Sequence, residues 1–78
     1  GAGPEVARCL RRYGDLDIPE LRVRLALASD GSVTRTELVN NRLLVSLHRC
    51  VRPALLRMQF APGPVQEVEY SYSNVADG

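Results

Sequence analysis

The chain has 78 residues, which is one small domain with room for a single core. Apolar residues make up 45% and charged residues 24%, a balance that excludes a disordered chain. The net charge of +1 excludes a strongly basic nucleic-acid footprint, and no apolar run approaches the roughly 18 residues that span a membrane.

All ten basic residues are arginine. A chain of this size buries only about 60% of its unfolded surface, so it often needs a staple. The domain is taken as residues 1–78 with its core in about 4–73, and Gly1-Ala2-Gly3 fits a cloning remnant. No secretory leader is legible, so an exported protein would carry its targeting segment outside these residues.

Gly3-Pro4 opens a short helix, because the missing N–H of proline costs nothing in a first turn. Val6, Cys9, Leu10 and Tyr13 form its apolar stripe. Arg8, Arg11 and Arg12 take the wet side, and Gly14 fits the left-handed stop. Asp15 to Glu20 reads as a linker, with Pro19 limiting any helix.

Leu21 to Ala28 alternates strictly, with Leu21, Val23, Leu25 and Leu27 on one face. Arg22, Arg24, Ala26 and Ala28 take the other, as in a half-buried strand. Asp30-Gly31 signals a hairpin, and Val33 to Val39 is the return strand. A two- or four-residue loop puts Thr34, Thr36 and Leu38 behind the leucines; a three-residue loop buries Arg35 and Glu37 instead.

Asn40-Asn41 is placed to cap a second helix, whose stripe is Leu44, Leu47, Val51, Leu55 and Met58, with Cys50 and Ala54 beside it. Pro53 removes one helical bond there, so a kink or two helical pieces are expected. Ala61-Pro62-Gly63-Pro64 is a stiff turn. Val65 to Ser73 is the last strand, with Val68, Tyr70 and Tyr72 on one face and Glu67, Glu69 and Ser71 on the other.

The expected fold is α+β with element order α-β-β-α-β. Two helices cover one face of a three-stranded antiparallel sheet of strand order 2-1-3. The open face carries Arg22, Arg24, Arg35, Glu37, Glu67 and Glu69. Parity allows Arg22 opposite Glu69, Arg24 opposite Glu67, Val23 opposite Val68 and Leu21 opposite Tyr70.

Little in this pattern points to catalysis. His48 is the only histidine, and beside an apolar stripe it reads as a boundary residue. One histidine and two distant cysteines match no zinc pattern, Asp30-Gly31 is a turn rather than a phosphate loop, and no cofactor is implied. The arginines are dispersed and offset by nine acids, and a lone Phe60 offers no base-stacking platform, so nucleic acid is not an expected partner.

Cys9 and Cys50 lie on helices that pack on the same face of the sheet. A bridge between them would close a loop of about 40 residues and imply an oxidising compartment. Two buried free thiols are the alternative.

Leu21 to Val33 resembles the first hairpin of TonB C-terminal domains. Arg49 to Phe60 resembles their second helix, which ends in an aromatic before a Pro/Gly turn, and Val65 to Tyr72 resembles the closing strand. A cysteine in each helix is similar to the AgmX/PglI C-terminal branch, found in envelope-spanning gliding-motility transducers such as GltG and GltJ. The resemblance runs from about Val6 to Tyr72.

Three positions depart from the pattern: Met58 stands where a tryptophan is usual, Pro53 interrupts the helix, and the chain closes on Tyr70-Ser71-Tyr72. The motif that grips a transporter's box is absent before the first helix, which argues against a TonB-dependent transporter as partner. The resemblance implies a periplasmic C-terminal module of an inner-membrane-anchored protein. Such modules work with a proton-channel motor complex and pass force to outer-membrane or periplasmic partners, without inserting into the membrane themselves.

An open three-stranded sheet has two edges, and the last strand is an edge when strand one is central. Its nine residues, Val65, Gln66, Glu67, Val68, Glu69, Tyr70, Ser71, Tyr72 and Ser73, contain no proline and are the expected docking strand. The competing expectations are a homotypic module that pairs or swaps edge strands into a homodimer, and a small enzyme.

Overall fold

The computed structural model of the chain describes residues 3–13 and 20–73. The elements are α1 (Gly3–Tyr13), β1 (Glu20–Leu27), β2 (Val33–Leu38), α2 (Val45–Leu56) and β3 (Gln66–Ser73). They form an α+β fold in the order α-β-β-α-β, with an antiparallel sheet of strand order β2-β1-β3. The expected stop at Gly14 and most of the expected linker, residues 14–19, lie outside the described residues.

The alternation of β1 decides the architecture. Leu21, Val23 and Leu25 are fully buried, and Leu27 is nearly so. They meet Val6, Cys9 and Leu10 of α1 and Leu47, Val51 and Leu55 of α2 in one core. Tyr13 ends the α1 stripe but does not enter the core; it is 41% exposed, with the Arg12 guanidinium 5.4 Å from its ring centroid.

The hairpin reaches the correct parity in two steps. Gly31 N–H donates to Ala28 O (2.9 Å), and Ala28 N–H donates to Ser32 O (2.9 Å). These bonds close a three-residue loop of Ser29, Asp30 and Gly31, with Gly31 at φ +85°. Such a loop alone would bury Arg35 and Glu37. The register instead slips between Ala26 and Leu27: Leu27 pairs with Val33, and Ala26 pairs with Arg35. Thr34 is the extra residue of a β-bulge, and its hydroxyl donates to Ala26 O (3.2 Å). Val33, Thr36 and Leu38 therefore face the core, while Thr34 faces out, against the expectation.

Asn40 and Asn41 do not cap α2. Asn40 Oδ1 accepts from Arg22 N–H (2.9 Å), and its Nδ2 donates to Glu20 O (3.0 Å), which extends the β1–β2 ladder past the end of β2. Asn41 takes φ +56°, a conformation that asparagine tolerates, and begins a turn closed by Leu44 N–H to Asn41 O (3.0 Å). Leu44 precedes α2 without a side-chain cap. The helix runs continuously from Val45 to Leu56 with Pro53 inside it, so two separate pieces do not form. Pro53 is exposed, so the carbonyl it leaves unpaired lies on the watered side of the helix.

Buried Thr36 joins β2 to α2 through its Oγ1, 2.8 Å from His48 Nε2. The Cys9 and Cys50 sulfurs lie 2.06 Å apart, the separation of a disulfide, with Cα atoms 5.8 Å apart. Arg57 and Glu5 add an exposed ion pair between α2's end and α1.

Candidate functional site: the free edge of β3

The β1–β3 ladder differs from the expected register by two residues. Leu21 pairs with Tyr72, Val23 with Tyr70, Arg24 with Glu69, Leu25 with Val68 and Ala26 with Glu67. An even slip keeps every side chain on its expected face. The side chain of Ala26 is short, so Arg35 reaches across it to Glu67 (2.8 Å). Arg22 meets Glu69 diagonally at 3.5 Å, and Arg24 pairs with Glu37 at 3.0 Å.

Hydrogen bonds on the β2 side identify which backbone groups of β3 point away from β1. Arg22 O accepts from Val39 N–H (2.8 Å), and Arg22 N–H goes to Asn40. Ala28 likewise bonds toward the hairpin. Even-numbered residues of β1 thus direct N–H and C=O at β2, and odd-numbered ones direct them at β3. Gln66, Val68, Tyr70 and Tyr72 sit opposite those odd residues and bond inward. Glu67, Glu69, Ser71 and Ser73 turn their backbone groups outward.

The two edges are treated differently. The β2 edge carries the bulge at Thr34, an antiparallel bridge of Ser32 to Gln59, and α2 close by. Such devices blunt an edge against foreign strands. Among the described residues, β3 pairs with β1 alone. The strand spans Gln66–Ser73; Val65, expected within it, lies just before it and is exposed.

Aromatic side chains border the edge on the helix-bearing face. Tyr70 is 41% exposed. Phe60 packs edge-on against it with centroids 5.6 Å apart, and Tyr72 stacks beside it at 6.4 Å. The Tyr72 hydroxyl donates to Met58 Sδ (3.4 Å). Burial, with Tyr70 alongside, pushes the Tyr72 phenol above its ordinary pKa.

Phe60 is a part of this site that periodicity did not reveal, and Met58, expected on the stripe of the second helix, lies beyond its end at Leu56. They arrive through the segment after α2, which is pinned to the hairpin loop. Phe60 N–H donates to Gly31 O (2.9 Å), Gly63 N–H to Ser29 O (3.0 Å), and Gln59 Nε2 to Asp30 O (2.8 Å). Asp30 in turn accepts from the hydroxyl (2.6 Å) and N–H (2.9 Å) of Ser32, which lowers its carboxyl pKa.

Two depressions lie elsewhere on the described surface. One of about 220 Å³ is lined by Tyr13, Ser46, Arg49 and Cys50, and one of about 320 Å³ by Arg24, Glu37, Leu38, Val39 and Arg42. His48 lines neither. Among the described residues no group of three or more potential metal ligands comes together, and no helix is long and apolar enough to cross a membrane. No protein-family model, curated protein or solved structure matches the chain.

Proposed function

We propose that this chain is a protein-binding module of an envelope-spanning energy or force transducer, and that it docks a partner peptide by strand addition to β3. The observation that carries the proposal is the outer edge of β3, which pairs with no strand among the described residues. Among the described residues, Glu67, Glu69 and Ser71 present unpaired backbone groups in a strand without proline, whereas the opposite edge is bulged and bridged. The resemblance to TonB C-terminal domains points the same way. On this reading the domain works in the periplasm, at the C-terminal end of an inner-membrane-anchored protein. The partner is an outer-membrane or periplasmic protein, and the rest of the parent chain couples to a proton-channel motor, as in gliding motility. The disulfide-distance cysteine pair suits that oxidising compartment. The role is binding and force transmission, not catalysis.

The test is a titration of labelled protein with peptides from outer-membrane and periplasmic proteins, read by amide chemical shifts. Perturbations should concentrate in Gln66–Ser73. Glu69→Pro removes an outward N–H and should abolish docking while the domain stays folded. Tyr70→Pro removes an inward ladder bond and should destabilise the sheet itself. Shifts confined to the helices would reject strand addition. A stable dimer through β3, with no response to any envelope peptide, would favour a homotypic assembly module instead.

A further inference from the structure

The outer face of the sheet is arranged in columns of charge. β2 contributes Arg35 and Glu37, β1 contributes Arg22 and Arg24, and β3 contributes Glu67 and Glu69 with no base anywhere along Gln66–Ser73. Glu20 adds a fourth acid at the end of β1. Three strand arginines thus face four strand carboxylates, with Arg42 beside Arg24 and Glu37 at the β2 end, away from β3. Arg35 is committed to Glu67 and Arg24 to Glu37. Arg22 is divided between Glu69 at 3.5 Å and Glu20 at 4.0 Å. Ser71 Oγ also donates to Glu20 (2.5 Å), so the carboxylates of this corner draw on one shared cation and one hydroxyl. The acid surplus lies at the open edge, beside the outward backbone groups of Glu69 and Ser71.

From this arrangement we infer that the strand accepted by β3 is basic on one face and apolar on the other, with a lysine or arginine opposite Glu69. This rests on the strand-addition reading and adds the chemistry of the partner. A strand laid along β3, in either direction, places alternate side chains beside Glu67, Glu69 and Ser71 on the outer face. A base opposite Glu69 supplies the second cation the corner lacks and continues the base–acid alternation by one column. The intervening side chains fall on the helix-bearing face, beside Val68 and the Phe60–Tyr70–Tyr72 cluster, where Tyr70 still has surface to cover. Apolar or aromatic side chains fit there. A second copy of β3 fits poorly, because it would set two columns that hold acids and no base side by side.

The probes are three blocked nine-residue peptides that alternate valine with lysine, with serine or with glutamate. Affinity is measured by titration at low salt, and β3 amide shifts report the binding mode. The lysine peptide should bind about tenfold more tightly than the glutamate peptide, with serine between. Glu69→Gln should reduce that preference to about threefold, and salt should shrink it further. Its melting temperature should stay close to the parent's, since the Glu69 carboxylate is exposed and its single ion pair is long. Equal affinities, or tighter binding of the glutamate peptide, with β3 amides still shifting, would overturn the inference and leave strand addition standing. Absence of β3 shifts with all three peptides would overturn both.

Discussion

Reduction of the Cys9–Cys50 pair should cost the domain about 4 kcal/mol, the chain-entropy value for a cross-link spanning about 40 residues. A small domain has about 5 kcal/mol in total, so the reduced chain should keep only about 1 kcal/mol, with roughly one molecule in six unfolded. The pair ties α1 to α2, and α1 otherwise holds through Val6, Leu10 and the exposed Glu5–Arg57 ion pair. Urea titration with and without reductant should show a large fall in midpoint. The double variant Cys9→Ala, Cys50→Ala should reproduce that fall without reductant. Equal midpoints would contradict the prediction, as would two alkylatable thiols in protein purified under oxidising conditions, which would also weaken the periplasmic assignment.

Gly31→Ala should destabilise the domain by about 2–4 kcal/mol. Two costs combine. Gly31 sits at φ +85°, where an alanine is strained. Its Cβ would also lie 2.0 Å from Phe60 O and 2.7 Å from Phe60 C, both backbone atoms that cannot rotate aside. Relief requires the segment after α2 to withdraw, losing the Phe60–Gly31 bond and loosening Phe60 from Tyr70. The variant should therefore also broaden the β3 aromatic resonances. Gly63→Ala is the control, because its Cβ meets nothing within 4 Å, and it should change stability by no more than about 0.5 kcal/mol. A thermal melt of both variants checks the contrast; equal melting temperatures would refute the close approach.

Much of the fold is written in periodicity. The strict alternation of Leu21 to Leu27 identifies a half-buried strand, and the expected strand order 2-1-3 is the order that forms. The register was less legible. Alternation repeats every two residues, so it assigns faces and says nothing of which partner sits opposite. The decision falls to details such as the short Ala26, across which Arg35 reaches Glu67. The bulge at Thr34 was hidden for a related reason. Asp30-Gly31 is compatible with several loop lengths, and only the three-dimensional loop shows that an extra residue is needed to restore parity. Asn40 illustrates the ambiguity of asparagine, which serves helix caps and strand ends with the same amide.

The candidate edge was legible as a strand and not as a surface. Val65 to Ser73 could be picked out from its alternation, one residue longer than the strand that forms, and the absence of proline was plain. Which of its amides point outward depends on where the hairpin bonds begin on β1, a phase that sequence does not carry. The aromatic border also needed the fold, since Phe60 reaches Tyr70 only because its segment is pinned to the hairpin loop at Gly31.

The central claim is that a partner strand bonds to the outward backbone groups of β3. Amide hydrogen exchange, resolved by residue, tests it most directly, with the lysine–valine peptide as probe. In the free protein, the amides of Val68, Tyr70 and Tyr72 should exchange slowly through their bonds to β1, while those of Glu67, Glu69 and Ser71 exchange fast. Saturating peptide should slow Glu67, Glu69 and Ser71 alone within the strand. Outward amides that stay fast while the peptide is bound would contradict the account.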